Sequence, residues 1–189
     1  IIVPSKAVAL SGTAAVLAAA LDGTVTDAAG DKIEGNVTIS STPTEAQLKT
    51  INDGTNASIQ IPAANQTFTG TAAVLAAALT GTVTGPLAAA LSGAVSVSDG
   101  AGESVAATLL STIATGTSGT VTVGAAINIT GTADQVVAAL DTNGVVASTA
   151  TITLDDTPTV TELQTLNGKT SGAIKIANGA ITYLSLIHI

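Results

Sequence analysis

The sequence predicts an α/β fold in which short helix–strand units repeat and stack in a solenoid-like manner. Two repeats carry this prediction. The decapeptide Gly-Thr-Ala-Ala-Val-Leu-Ala-Ala-Ala-Leu at residues 12–21 recurs at 70–79 and, altered, at 131–140. A second segment, 37–52, aligns without gaps onto 152–167. We call these first-type and second-type units; six units of about thirty residues each then fill the chain.

The first-type unit is predicted to be a helix followed by a strand. Thr13 is a suitable N-cap, residues 14–21 are strong helix formers, and Gly23 ends the helix before Thr-Val-Thr. The copy at 70–79 has the same features. A helix this short is marginal in water, so one side must pack on a sheet. The side chains expected there are Val16, Leu17 and Leu21.

The second-type unit also predicts a helix. Thr42 is expected to cap it, with Pro43 at the first helical position and Glu45 closing a capping box. Apolar residues three apart then share one face, as the pairs Leu48/Ile51, Leu110/Ile113 and Leu163/Leu166 do. Asn52-Asp53-Gly54 and Asn167-Gly168 are expected to end the helices in left-handed conformations.

Strands are predicted after these helices, where residues alternate with period two at 58–61, 120–123 and 173–176. Strands alternating with helices favour parallel pairing. The hairpin signal at 177–180, Ala-Asn-Gly-Ala, supports an alternative fold, a single mixed sheet with short helices on one face.

The repeats divide the chain into residues 8–66, 67–126 and 127–183, with 1–7 as an edge. The first residue is Ile1 and the sequence contains no Met, so we expect a fragment of a longer protein. Residues 184–189, Leu-Ser-Leu-Ile-His-Ile, resemble a translated sequencing-library adaptor, which implies a non-native tail.

Composition narrows the function. The chain is 46% hydrophobic with mean hydropathy +0.57, but its aromatic residues are one Phe and one Tyr, so the core must consist of small aliphatic side chains. A net charge of −8 with five Lys or Arg residues argues against nucleic acid. No apolar run is long enough to cross a membrane.

Two acidic clusters are candidates for metal binding. Asp155-Asp156 could join a calcium site, but a helix-start role that uses the helix dipole is favoured. Asp27, Asp31 and Glu34 surround Lys32, and we interpret them as a solvated turn. No Cys is present and the one His, His188, lies in the tail, so no nucleophile–base pair is predicted. The sequence therefore nominates no catalytic, cofactor or metal residue and predicts no enzyme, with calcium the one cofactor left open.

A family resemblance covers residues 8–183. Thr-Gly-Thr-Ala before an apolar helix, Thr-Ile-Thr-Leu-Asp-Asp-Thr at 151–157 and Thr-Ser-Gly-Ala-Ile at 170–174 resemble repeats of very large secreted or cell-surface adhesin-like proteins of cyanobacteria and other aquatic bacteria. The resemblance implies an extracellular spacer or adhesive role. The implied partners are neighbouring repeats and cell-surface or matrix carbohydrate. The calcium-binding pattern Gly-Gly-x-Gly-x-Asp of such proteins is absent.

Ice or carbohydrate binding is the alternative function. Thr-x-Thr tripeptides place two hydroxyls on one strand face, and aligned copies on neighbouring strands would form a flat array of hydroxyl and methyl groups. The tripeptides expected to lie on strands are those at 24–26, 82–84, 120–122 and 151–153.

Overall fold

The computed structural model describes residues 2–3, 5–23 and 25–177, and they form an α/β fold. The predicted hairpin at 177–180 and the tail at 184–189 lie almost wholly outside these residues. The strands are β1 Ile2–Val3, β2 Leu10–Gly12, β3 Thr26–Asp27, β4 Val37–Ile39, β5 Ile59–Gln60, β6 Phe68–Gly70, β7 Val83–Thr84, β8 Val95–Val97, β9 Ser104–Ala106, β10 Val121–Val123, β11 Asn128–Gly131, β12 Thr151–Leu154 and β13 Ile174–Ile176. The helices are α1 Ala14–Leu21, α2 Glu45–Gly54, α3 Ala72–Leu79, α4 Ala107–Thr115, α5 Ala133–Val137 and α6 Val160–Asn167. A π-helical turn, Ala138–Thr142, continues α5, and a 3-10 turn, Pro86–Ala88, follows β7.

The described strands form four small sheets, and every pairing between two of these strands is parallel. The sheet orders are β1-β3, β2-β4-β5-β7, β6-β8-β10 and β9-β11-β12-β13. Parallel neighbours need long crossover connections, which the helices supply for many of these pairs. The alternative of a single mixed sheet is therefore wrong for the described part of the chain.

Strands and helices repeat out of phase with each other. In the second sheet, β2 ends just before α1 begins, whereas β7 lies after α3. The strands that pair in this sheet therefore change their position relative to the helices along the chain, from before a helix at β2 to after a helix at β7. Pairing in this sheet stops at β7, and β6 and β8 belong to another sheet. The helices keep a single order throughout, because each helix from α1 to α6 contacts the next one along the chain.

One continuous core of small aliphatic residues runs between the helices and the sheets. On the strands, inward residues such as Val37, Ile59 and Ile129 are fully buried, and the helix pairs Leu48/Ile51 and Leu110/Ile113 lie in the same core. The predicted boundaries at 66/67 and 126/127 do not interrupt it, since β5 pairs with β7 and β9 with β11 across them.

The prediction for the first-type helices is confirmed with one correction. Thr13 is the N-cap of α1 and its hydroxyl accepts a hydrogen bond from the Val16 amide. Gly23 follows the helix with a φ of +112°, a conformation that favours glycine. Leu17 and Leu21 are buried, but Val16 is 63% exposed, so its predicted contact with a sheet is wrong. The buried face instead includes Ala14 and Ala18.

The second-type helix begins two residues later than predicted. Thr44 is the N-cap of α2, and it forms a capping box with Gln47. Both Thr42 and Thr44 satisfy the capping-box pattern, so the sequence alone allows either. The later start leaves the Pro43 carbonyl outside the helix, where it accepts a hydrogen bond from Gln66 Nε2 at 2.7 Å. In α6 the equivalent box joins Thr159 to Glu162.

The left-handed conformation predicted for the end of the second-type helix is wrong. The glycine at this position instead allows close packing. Gly168 has a φ of −76°, and Gly54 is the last helical residue of α2. A Cβ on Gly54 would lie 2.8 Å from both Leu21 Cβ and Leu21 O, and Gly116 has the same relation to Leu79. These glycines let a second-type helix approach the end of the preceding first-type helix.

Gly54→Ala tests this contact. The added methyl meets backbone that cannot move freely, so we expect a loss of about 1–3 kcal/mol in unfolding free energy, measured by urea denaturation. Gly124→Ala is the matched control, because a Cβ there has no neighbour within 4 Å. Equal stability of the two variants would contradict the proposed packing role.

Candidate functional site

The most deeply buried hydroxyls join one unit to another. Thr55 is 4% exposed; its Oγ1 donates to the Ile33 carbonyl at 2.6 Å and accepts from the Ala57 amide at 3.0 Å. Two further threonines repeat this arrangement. Thr117 donates to Gly93 O and accepts from Gly119 N, and Thr170 donates to Ala150 O and accepts from Gly172 N.

We call Thr55, Thr117 and Thr170 the threonine bridges. Each hydroxyl donates to a carbonyl 20 to 24 positions earlier in the chain and accepts from the amide two residues later. Sequence analysis missed this role. The available signal was the tripeptide Thr-Ser-Gly at 117–119 and 170–172, whose threonine lies within three residues of the end of a helix.

Side chains of the following unit also pair with the starts of the first-type helices. The first helical amide of α1, on Ala14, donates to Ser41 Oγ at 3.0 Å. The equivalent amides of α3 and α5 donate to Asp99 Oδ2 at 2.6 Å and Asp156 Oδ1 at 2.8 Å. The first amide of each of these helices therefore finds its acceptor on a side chain 23 to 27 positions later in the chain.

Asp156 has the predicted helix-start role, but at α5, and not at the helix that follows it. One of its carboxylate oxygens is occupied by the Ala133 amide. The Asp155 amide donates to Gly131 O at 3.0 Å, which fixes the same turn. Ser41 replaces the carboxylate in the first unit, so the position selects a hydrogen-bond acceptor and does not require charge.

The acidic loop at Asp27, Asp31 and Glu34 is held by hydrogen bonds and one ammonium. Asp27 Oδ1 accepts from the amides of Ala29 and Asp31 at 2.8 and 3.0 Å. Lys6 Nζ lies 3.3 Å from both Asp31 and Glu34. Hydrogen bonds to Asp31 and then Glu34 raise the pKa of Lys6. The predicted cation of this turn, Lys32, instead donates to Asp53 O at 2.6 Å.

The described part of the chain contains no cluster of three or more His, Cys, Asp or Glu side chains arranged to hold a metal ion. Among the described helices, none has the length and apolar character needed to span a bilayer. His188 lies outside the described residues.

A surface groove of about 470 Å³ lies between the ends of α2 and α3. The charged side chains in its lining already have partners: Asp53 pairs with Lys49, and Lys32 Nζ donates to Asp53 O. The Asn52 amide is also occupied, since its Nδ2 donates to Ala77 O and Thr80 O.

The four Thr-x-Thr segments do not align with one another. Three of them belong to different sheets, because Thr84 lies on β7, Thr122 on β10 and Thr153 on β12. Thr26 lies in the two-stranded sheet, and Thr24 is outside the described residues. In register, Thr84 faces Gln60, and Thr153 faces Lys175 on one side. The described strands therefore do not form the aligned threonine array that the alternative of ice binding requires.

Comparison with protein-family models, curated proteins and solved structures found no match. The residues themselves define the class of site: a set of hydrogen bonds that join distant segments of an α/β structure.

Thr55→Val tests the threonine bridges. Valine keeps the shape but leaves the Ala57 amide without its partner, whereas the Ile33 carbonyl keeps the Asn56 amide at 2.8 Å. We expect a loss of about 1–3 kcal/mol in unfolding free energy. Thr55→Ser keeps the hydroxyl and should lose less. Thr38→Val, on an exposed strand position, is the control. Equal unfolding free energies for Thr55→Val and Thr38→Val would show that the threonine bridge does not stabilise the fold.

Glu162 makes one capping box sensitive to pH. The Thr159 amide, followed by the Thr159 hydroxyl, donates to its carboxylate at 2.6 and 2.7 Å and lowers the pKa of Glu162 below 4.5. A lowered folded-state pKa means that the stabilisation is complete above pH 4.5 and is lost as pH falls through the folded value.

Glu162→Gln keeps an acceptor, as Gln47 and Gln135 provide in the other boxes. We expect the wild type to be slightly more stable at pH 7 and the two proteins to be equal at roughly pH 2, by urea denaturation at each pH. If the two proteins still differed in unfolding free energy at roughly pH 2, the difference would come from packing and not from the charge of Glu162.

Proposed function

We propose that this chain is a structural segment of a larger extracellular protein, a solenoid-like stack of units that adds length and surface without catalysis. One observation carries the proposal: side chains at equivalent positions of successive units bond the backbone of an earlier unit. The threonine bridges and the residues at 41, 99 and 156 both do so.

Bonds of this kind give a stack in which each unit is completed by its neighbour. The helices contact one another in chain order, and the hydrophobic core continues along them. Stability is then a sum of terms within units and between neighbours, and length can change by whole periods. A structure whose length can change by whole periods is suited to a spacer role, and this property supports the proposal.

The extracellular setting and the partners rest on the resemblance to secreted and cell-surface adhesin-like repeats. The proposed partners are neighbouring repeats and matrix or cell-surface carbohydrate. Carbohydrate or ice binding would use the outward columns of polar residues, such as Ser11, Thr38, Gln60 and Thr84, which stand in register on one sheet. Without a uniform threonine array, we favour the spacer role.

Deletion of one whole period tests the proposal. Removing residues 70–130 joins Thr69 to Gly131, which is equivalent to Gly70. We expect the shortened chain to unfold in one cooperative transition by circular dichroism. Its maximum dimension from small-angle X-ray scattering should be smaller than that of the full chain, because a stack loses length when it loses units.

A deletion out of phase is the control. Removing residues 70–118 joins Thr69 to Gly119 and places β10 directly after β6 without a helix. This chain should fail to fold cooperatively. If the in-phase deletion were equally unfolded, the units would not be interchangeable and the proposal would fail.

A further inference from the structure

The pentapeptide Leu-Ala-Ala-Ala-Leu occurs three times and adopts two different structures. At residues 17–21 and 75–79 it forms the later part of α1 and of α3. At residues 87–91 it lies in the connection between β7 and β8, where it begins in a 3-10 turn and continues without regular structure. Alanine and leucine are strong helix formers, so the third copy adopts a backbone that opposes its local preference.

The backbone of this third copy is strained. Leu87 and Ala88 have φ values of +55° and +57°, and among the described residues they are the only ones other than glycine with positive φ. In this left-handed region the Cβ of an L-residue lies too close to a carbonyl oxygen. The strain persists because both ends of the segment are fixed: Gly85 is buried against Ala64, and Leu91 is buried in the core.

Between these fixed ends, the segment is only weakly held. Residues 86–90 are all exposed, and Leu87 is 97% exposed. The turn is closed by hydrogen bonds from Gly85 N to Ala89 O at 2.8 Å and from Ala89 N to Pro86 O at 3.1 Å. The strand before it, β7, pairs with β5 through two residues. Local opening therefore breaks few contacts, and an extended conformation relieves the strain.

We propose that residues 86–90 are a site of limited proteolysis, cut by a serine protease whose S1 pocket accepts a small aliphatic side chain. Proteases bind their substrates in an extended conformation, which this segment reaches with release of strain. The side chains after Pro86 are those of Leu and Ala, without charge or aromatic ring, so an elastase-type pocket fits them and a trypsin-type pocket does not. Exposed loop tips with small residues are preferred sites of nicking.

The reaction at this site is ordinary peptide hydrolysis. The serine hydroxyl of the protease adds to the carbonyl carbon of the residue before the cut, and the C–N bond breaks as a proton passes to the departing amine. Water then hydrolyses the resulting ester. The net change consumes one water for each new carboxylate and amine. The site is independent of the proposed spacer role, because it depends on the local backbone alone.

A cut in this segment should leave the two fragments in one folded body. Strand β6, which precedes the segment, pairs with β8, which follows it, over three residues. The Ala72 amide donates to Asp99 Oδ2 at 2.6 Å, and a Cβ on Gly116 would lie 2.8 Å from Leu79 Cβ. The hydrophobic core also contains residues from both fragments. We therefore expect the fragments to separate only in denaturant.

Limited digestion of the purified 189-residue chain with elastase provides the first measurement. Among cuts between residues 8 and 177, the first should fall within residues 86–91, as located by intact mass. The product should give two bands on a denaturing gel and an unchanged single peak in native gel filtration. A first cut elsewhere in that range, including the same pentapeptide in α1 or α3, overturns the proposal. Fragments that separate without denaturant do the same.

A matched pair of variants separates backbone conformation from exposure. Ala89→Lys places a trypsin site in the segment, and Ala19→Lys places one at the equivalent position of the pentapeptide in α1. Both alanines are exposed, but Ala19 is helical. Trypsin should cut after residue 89 at least roughly tenfold faster than after residue 19, because cleavage follows the population of the locally open form.

Circular dichroism should show that both lysine variants fold, since both positions are exposed. Equal rates of trypsin cleavage at the two positions would show that the strained backbone confers no susceptibility and would overturn the proposal.

Discussion

Hydrogen bonds between successive units are the interaction on which the rest of this structure depends. Helices of eight to ten residues, such as α1 and α2, are too short to persist in water alone. Their first amides and last carbonyls lack partners within the helix. Ser41, Asp99 and Asp156 supply acceptors at the starts of helices, and Asn52 supplies a donor at the end of α3. A unit is thus complete only when its neighbour is present.

Such bonds require the units to approach closely, and this requirement explains the composition. A Cβ on Gly93 would lie 1.7 Å from Gln66 O, and one on Gly119 would lie 2.2 Å from Gly93 O. Backbone therefore packs directly on backbone along this line of turns. The thin layers are filled mainly by Val, Ile, Leu and Ala, and Phe68 is the one aromatic side chain in the core of the described residues.

The sequence predicted those features that depend on local chemistry. The bounds of α1 and α3 follow from a threonine cap, a run of helix formers and a glycine that can adopt positive φ. The strands β5, β10 and β13 follow from alternation. The choice of Thr44 over Thr42 could not be predicted, because it depends on what Pro43 and Glu45 contact in another unit.

The candidate contacts were harder to predict for the same reason. Asp156 was recognised as a helix-start residue, but its partner is Ala133 on a helix earlier in the chain. The threonine bridges were missed because a buried hydroxyl looks like any other threonine in a Thr-rich sequence. The Thr-x-Thr segments failed to align because strands shift relative to helices along the chain, so equal tripeptides enter different sheets. In each case, the sequence pattern did not show how one unit is positioned relative to the next.

The hydrogen bonds between units restrict where binding can occur. Between units, the polar groups described above already have partners, so the interior offers little to a ligand, and the outer sheet faces remain. Identical sequences can still differ in exposure, since Ala78 of α3 is buried and its equivalent in α1, Ala20, is exposed. The burial of a residue in these helices therefore depends on the elements packed around it and not on the repeated sequence alone.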